Sequence, residues 1–373
     1  MKKALILIVL IFSLNTLPAA THKRMEIALC VDLSASTNGL LEALRTNMWY
    51  LMYYLTSYQP QPDVYVGLVL YGKPGYGKEN DYIKKVSDLS KNINFIQQEL
   101  YSTLVSVNAK ENYPERAALT CLTEMSWSKE PDTYRTVVMI GNGQLVDGVA
   151  MSEVTKMCQK KGFIVNTIYY QTYYNEREVI QWKAMAKACG GISTMIDPSV
   201  AMPWEKDIKS SNTSFISEVN DKYNSTFIPY GAEGHKRFAK YMGMDDYARE
   251  TGPICLEFRL MYKISENYLG VNKDWDLVDL SIVTGKIDTT TIDKKTLPLE
   301  YQNMSFKDIL RFVSIKKEER LYLQEITNIV AQRNKILTRE YYQEYKPIIK
   351  RSFYIVLMEI FNAQTDNFHE ILD

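Results

Sequence analysis

At 373 residues, 46% hydrophobic and 24% charged, the chain is long enough for about two domains of roughly 150 residues and too apolar to be disordered. Basic and acidic side chains number 44 each, so no basic field exists to attract nucleic acid. The five cysteines lack C-x-x-C spacing, which excludes the common zinc and dithiol redox motifs.

The first twenty residues, MKKALILIVLIFSLNTLPAA, read as a secretory signal peptide. Lys2 and Lys3 form the charged start, Ala4–Leu14 the apolar core and Pro18-Ala19-Ala20 a small-residue exit. That core is too short to span a bilayer, and no cysteine follows it to carry a lipid. Cleavage after Ala20 leaves 42 basic against 44 acidic side chains. The expectation is an exported protein, periplasmic or extracellular, that is not transmembrane after signal cleavage.

From residue 24 to 198, short apolar runs alternate with helical patterns. The runs are MEIALCVDL (25–33), VYVGLVLYG (64–72), TVVMIG (136–141), FIVNTIYY (163–170) and GISTMID (191–197). Several are almost continuously apolar, as strands covered on both faces are. Between the first two, Leu40, Leu41, Leu44, Met48, Leu51, Met52 and Leu55 recur with helical period. Further helices are expected over 93–105, 114–127, 150–161 and 176–189, the second with Pro114 in its first turn, where no helical amide partner is lost. The predicted fold class is α/β, a doubly wound, mostly parallel sheet. Cys30 falls in a strand and Cys121, Cys158 and Cys189 in helices, which favours buried free thiols over a disulfide framework.

A mainly helical C-terminal region, 199–373, follows. Residues 203–225 read as helix, 255–264 as an ordered segment and 283–300 as polar. One long charged helix covers 316–345. The apolar 348–364 reads as a helix packed on its own chain, since its polar face is not strongly basic as a membrane-surface helix would be.

The chemistry concentrates where the first strand stops. In open parallel sheets, ligands bind beyond the carboxyl ends of strands. Asp32, Ser34 and Ser36 stand there in D-x-S-x-S spacing, which turns three oxygens toward one point. Hard cations such as Mg²⁺ take six oxygens and keep some waters. VDLSAST resembles the metal-ion-dependent adhesion motif of von Willebrand factor type A (vWA) domains. The resemblance continues in order through GLVLYG, TVVMIGNG, FIVNTIYY and AKACGGISTMID, over about residues 24–197. It implies a doubly wound domain with Mg²⁺ or Mn²⁺ at the top of the sheet, accepting an acidic side chain from a partner.

The family pattern also has a threonine in a second loop and an aspartate in a third. Here the third loop, IGNGQLVDG, has Asn142 in the aspartate's place. The second, SVNAKENYPE, offers Asn108, Glu111 and Asn112 instead of threonine. Losing one charge beside a dication removes about 4 kcal/mol of attraction at 4 Å and an effective dielectric near 20, unless Glu111 or Asp147 substitutes. Two readings follow: a weak site of Asp32, Ser34, Ser36 and Asn142, or a vestigial loop whose Asp32 and serines cap a helix. Further on, NSTFIPYGAEGHKRF (224–238) and DWDLVDLSIVTGKID (274–288) resemble segments of a group of bacterial exported vWA proteins of undefined role. That resemblance implies no activity, and a structural reading competes: Pro229-Tyr230-Gly231 as a turn and Trp275 as a core anchor.

Signals for catalysis are missing. His22, His235 and His369 have no ligand spacing, and no H-E-x-x-H, G-x-S-x-G, P-loop or G-x-G-x-x-G occurs. The glycine-rich GKPGYGKEN (72–80) lacks the G-K-[ST] ending and fits an excursion toward an edge strand. The tyrosines of 169–174 lie beside the expected site and suit partner contact. The sequence therefore supports a non-enzymatic, adhesion-type protein of the cell envelope. It would engage a protein or envelope partner at the top face of a vWA domain, with Glu111, Asn112 and Tyr173 as contacts. The alternative is a metal-free scaffold binding through its C-terminal helices.

Overall fold

The structure, a computed structural model, describes residues 24–37, 39–56, 58–59, 61–104, 112–196, 213–349, 353–364 and 369–370. The expected signal peptide, Asn108 and Glu111 lie outside the described residues.

Six strands form one sheet: β1 (Arg24–Asp32), β2 (Asp63–Tyr71), β3 (Ile83–Ser90), β4 (Thr133–Gly141), β5 (Ile164–Tyr170) and β6 (Ser193–Ile196). Their order is β3-β2-β1-β4-β5-β6, parallel except for β3, which runs antiparallel at one edge. The chain steps outward from β1 in both directions, which makes the carboxyl ends of β1 and β4 the topological switch point. The fold class is thus the doubly wound α/β sheet expected from the sequence, followed by a mainly helical C-terminal region.

Strand β1 shows why both faces are covered. Met25, Ile27, Leu29 and Val31 point into the core under helix α1 (Leu40–Thr56). Ala28 and Cys30 point the other way, toward α3 (Pro114–Glu124). Ala117, Ala118 and Cys121 line the facing side of α3, so small residues on both elements let that helix sit close to the sheet. Helices α4 (Gly148–Lys161) and α5 (Glu176–Ala188) complete this layer, and α2 (Asn94–Ser102) lies on the opposite face.

The free-thiol expectation fails at one pair. A disulfide joins Cys158 near the end of α4 to Cys189 at the end of α5, with Cα atoms 5.1 Å apart. Two parallel neighbours, 31 residues apart in sequence, bring these side chains together, which spacing alone does not disclose.

The helical region comprises α6 (Thr213–Asn224), α7 (Gly234–Thr251), α8 (Pro253–Ile264), α9 (Leu277–Thr284), the four-residue α10 (Leu299–Gln302), α11 (Phe306–Ile349) and α12 (Phe353–Gln364). It shares its core with the sheet: α8 packs along α1, and α12 buries Val356, Leu357, Ile360 and Phe361 against α1 and β6. Gln364 and Asn166 of β5 form a reciprocal amide pair at 2.8 and 2.9 Å, and Tyr54 of α1 donates to Asn362 at 2.6 Å. The described part of the apolar segment 348–364, Phe353–Gln364, therefore packs on its own chain, as expected. The two later resembling segments meet: Tyr230 N–H donates to Trp275 C=O at 2.8 Å, and Trp275 stacks on Phe227. Among the described residues no helix is long and apolar enough to cross a membrane.

Two buried charge clusters tie these helices together, and they are mirror images. Asp245 sits between two cations, Arg259 and Lys263, with Asn220 and Asn224 also donating to it. Arg320 sits between two carboxylates, Asp276 at 2.6 Å and Asp279 at 2.7 Å. Burial alone would raise the Asp245 pKa, but Arg259 and Lys263 outweigh it and hold the carboxyl below its ordinary range. Lys263 Nζ and the Arg320 guanidinium lie 5.4 and 5.5 Å from the centre of the same Tyr223 ring. In each cluster the hub faces two charges and each satellite one. Asp245→Asn should therefore cost about 3–5 kcal/mol, because Arg259 stays buried without its counter-charge and Lys263, already pushed down to about 7 by burial, loses the carboxylate that holds its proton. Lys263→Met leaves a balanced pair and should cost less than half as much. Arg320→Met should likewise exceed Asp279→Asn. Urea unfolding of the four variants checks the order, and a larger loss for either satellite contradicts it.

Candidate functional site

Asp32 is the last residue of β1 and is only 1% exposed. The chain then turns sharply. Ser34 N–H donates to Asp32 Oδ1 at 2.8 Å, and Thr37 Oγ1 donates to the carbonyls of Asp32 and Ser34, both at 2.9 Å. This turn aligns the Ser34 and Ser36 hydroxyls, 2.8 Å apart. Ser36 Oγ donates to Asn142 Oδ1 at 2.7 Å, which joins the loop after β1 to the loop after β4. The second loop contributes Asn112, whose Nδ2 donates to Asp32 Oδ2 at 2.9 Å and to the Asn142 carbonyl at 3.3 Å.

Asp32, Ser34, Ser36, Asn142 and Asn112 thus converge from three loops. Tyr173 lies in the loop after β5, 45% exposed, with its hydroxyl 3.3 Å from both Glu178 oxygens. Asp147 does not substitute for the missing charge. Its carboxylate caps α4 through the N–H groups of Val149 and Ala150 and pairs with Arg116 at 2.7 Å.

Burial pushes the Asp32 pKa up to about 6, against the lowering effect of N–H donors from Ser34, Asn142 and Asn112. The packing is close. A Cβ at Gly141 would collide with Asp32 Cβ and lie 2.7 Å from the Tyr71 hydroxyl, and one at Gly143 would lie 2.7 Å from Asn112 Oδ1. Glycine at these two positions makes room for the carboxylate and for the amide beside it.

The donor set suits a hard cation in kind and spacing. Ser34 Oγ, Ser36 Oγ and Asn142 Oδ1 form a run of oxygens 2.8 and 2.7 Å apart. The edge of an octahedron with bonds of about 2.1 Å is roughly 3 Å. Its charge is small: Asp32 is the one carboxylate in the set. Among the described residues no three His, Cys, Asp or Glu side chains gather as a metal-ligand group. Asn142 also has work that an aspartate could not do. Its Nδ2 donates to the carbonyls of Tyr170 at 3.1 Å and Ser36 at 3.3 Å and to Thr172 Oγ1 at 3.3 Å.

No protein-family model and no curated protein matches the chain. Solved structures similar to it include proximal thread matrix protein 1 from the mussel byssus with a zinc-occupied MIDAS motif. The identity is 12% and the TM-score 0.36, over 47% of this chain and 42% of that one. A second crystal form of the same protein gives 13% and 0.36, over 57% and 62%. The pilus adhesin SpaC from Lactobacillus rhamnosus GG, in an open conformation, gives 15% and 0.35, over 48% and 28%. The chain spans less than two thirds of each of these proteins.

Several site residues carry no motif. Thr172 donates to the Ser36 carbonyl at 2.6 Å. Glu178, 4% exposed, accepts from Gly143 N–H at 3.0 Å and from the Tyr169 hydroxyl at 2.9 Å. Glu115, fully buried, accepts from the N–H groups of Val146 and Asp147 at 3.1 and 2.5 Å. With Leu145 N–H donating to Gln181 at 3.1 Å, side chains hold most of the third loop's amides. No sequence signal marks these residues, since each role depends on which loops meet at the sheet edge.

Because the Asp32 pKa is raised in the folded state, the folded protein binds more protons than the unfolded chain between about pH 4 and 6, so stability falls across that window. Asp32→Asn removes the effect. From pH 4 to pH 7.5 the native chain should lose about 3 kcal/mol relative to Asp32→Asn, at ~1.4 kcal/mol per pKa unit over the rise from 3.8 to about 6. The variant's absolute level carries a constant offset, because its new amide faces the Asn112 amide. Urea unfolding in chelator reads the slope, and a pH-independent difference between the two proteins contradicts the raised carboxyl.

Proposed function

We propose that the protein is a non-enzymatic binding protein that engages a protein or envelope partner at the carboxyl edge of its sheet, assisted by weakly held Mg²⁺ or Mn²⁺. The observation that carries this reading is the convergence of five polar side chains from three loops, with exposed apolar groups on the adjoining chain segments. Val146 is 63% exposed, Val149 76% and Tyr174 62%, all on the loops or helix start beside Asn142 and Tyr173. Exposed apolar and aromatic side chains around a polar centre suit partner contact. Asp32, Ser34, Ser36 and Asn142 would hold the cation, and Asn112 and Tyr173 would meet the partner. A bound cation supplies an electrophile for an acidic group. Export to the periplasm or beyond, a signal peptide over 1–20 and a vWA domain over 24–198 belong to the same reading.

One observation favours the second reading, a metal-free scaffold. Along α11, Ile315, Tyr322 and Ile329 are 49%, 62% and 64% exposed at heptad spacing, as in a helix that takes a partner helix.

Calorimetric titration with Mn²⁺ tests the first reading. The native chain should bind in the micromolar-to-millimolar range and Asp32→Ala should not; equal heats from both overturn the site. Capture of envelope components on immobilised protein then separates the faces. Loss with chelator and with Val149→Glu supports the sheet edge, whereas loss only with Tyr322→Glu supports α11.

A further inference from the structure

We propose that Asn112 is a built-in counter-group to Asp32: its amide occupies the carboxylate, lowers cation affinity and keeps the three loops aligned when no cation is bound. This inference rests on reading the face as a cation site. A buried carboxylate needs donors or a counter-charge. Asp32 Oδ1 has the Ser34 amide at 2.8 Å. On Oδ2, Asn112 Nδ2 lies at 2.9 Å and the Asn142 backbone N–H at 3.5 Å, so Asn112 is the principal donor there. The same amide nitrogen also donates to the Asn142 carbonyl, so one side chain cross-links β1, the second loop and the third.

Asn112 is placed by a strained support. Asp81 and Tyr82 are consecutive non-glycine residues with φ of 51° and 58°, a backbone region costly for L side chains. Asp81 pairs with Arg116, which also binds Asp147, and Tyr82 stacks on Tyr113 with ring centres 6.4 Å apart. The residues flanking Asn112 on the α3 side are thus fixed from two directions. Gly143 leaves room for the amide where a Cβ would meet Asn112 Oδ1. A cation and this amide draw on one carboxylate charge, so each weakens the other, and the coupling is reciprocal.

The test is Mn²⁺ binding to the full chain, read from the free-ion electron paramagnetic resonance signal, for the native protein, Asn112→Ala and Asp32→Ala. Removing a hydrogen bond to a charged group should tighten binding by about tenfold or more in Asn112→Ala. Asp32→Ala should bind nothing. Equal or weaker binding by Asn112→Ala, with Asp32→Ala still silent, overturns the counter-group while leaving the cation site standing. Absence of binding by both the native chain and Asn112→Ala at millimolar Mn²⁺ overturns the cation site and the counter-group with it. A readout on the native chain guards against a misfolded variant: the Asn112 side-chain amide resonance should shift, and its hydrogen-exchange protection should fall, as Mg²⁺ saturates the site. An unmoved resonance at saturation overturns the proposal.

Discussion

The upper face of the sheet is organised around a carboxylate held out of water at the end of its central strand. Asp32 lies where β1 stops between β2 and β4, so it is covered by neighbours on both sides and cannot reach solvent. Burying a charge there is costly unless donors are supplied. The sharp turn that brings Ser34 N–H back onto Oδ1 is one such donor, and the approach of Asn112 is another. The glycine at 141 follows from the same constraint, because no side chain fits beside Asp32 Cβ. The geometry of Ser34 and Ser36 is then a consequence of how Asp32 is satisfied.

The third loop repeats this device. Glu178 and Glu115, on the first turns of α5 and α3, accept backbone N–H groups from Gly143, Val146 and Asp147. A loop whose amides are bound by buried carboxylates has few alternative conformations at low cost. Behind the site, α1 begins only four residues after Ser36 and shares its core with α8 and α12. The C-terminal helices thereby stiffen the helix that leaves the site. One hub-and-satellite cluster fixes α6, α7 and α8 against one another, and the other fixes α11 to α9.

The five parallel strands were legible because residues covered on both faces must be apolar, whatever their sequence neighbours. The edge strand β3 was not, since IKKVSDLS has one partner strand, a mostly half-exposed surface and a register irregularity opposite Val66–Val69. Helices α7 and α9 were also hidden. Neither has a clear apolar stripe: α7 buries Tyr241, Met244 and Ala248 among many polar residues, and α9, LVDLSIVT, is apolar nearly all round while burying Asp279. In the site, D-x-S-x-S marked Asp32, Ser34 and Ser36, and the order of loops marked Asn142 and Asn112. Thr172 and Glu178 escaped because their roles depend on which loop crosses which, a property of the assembled sheet edge. The Cys158–Cys189 bridge escaped for the same reason.

Asparagine at 142 changes the kind of site this is. Its amide hydrogens hold the Tyr170 and Ser36 carbonyls, so the loops after β1, β4 and β5 are joined with no external charge. An aspartate there would put a second carboxylate against those carbonyls, and the loops would then need a cation to stay together. The chain has instead one carboxylate among neutral amides: Asn112 donates to Asp32, and Asn142 to the two carbonyls. Such a face needs no cation to hold its loops together. A cation placed there would meet the single charge of Asp32 and compete with Asn112 for it, while the links made by Asn142 would still set how the loops meet.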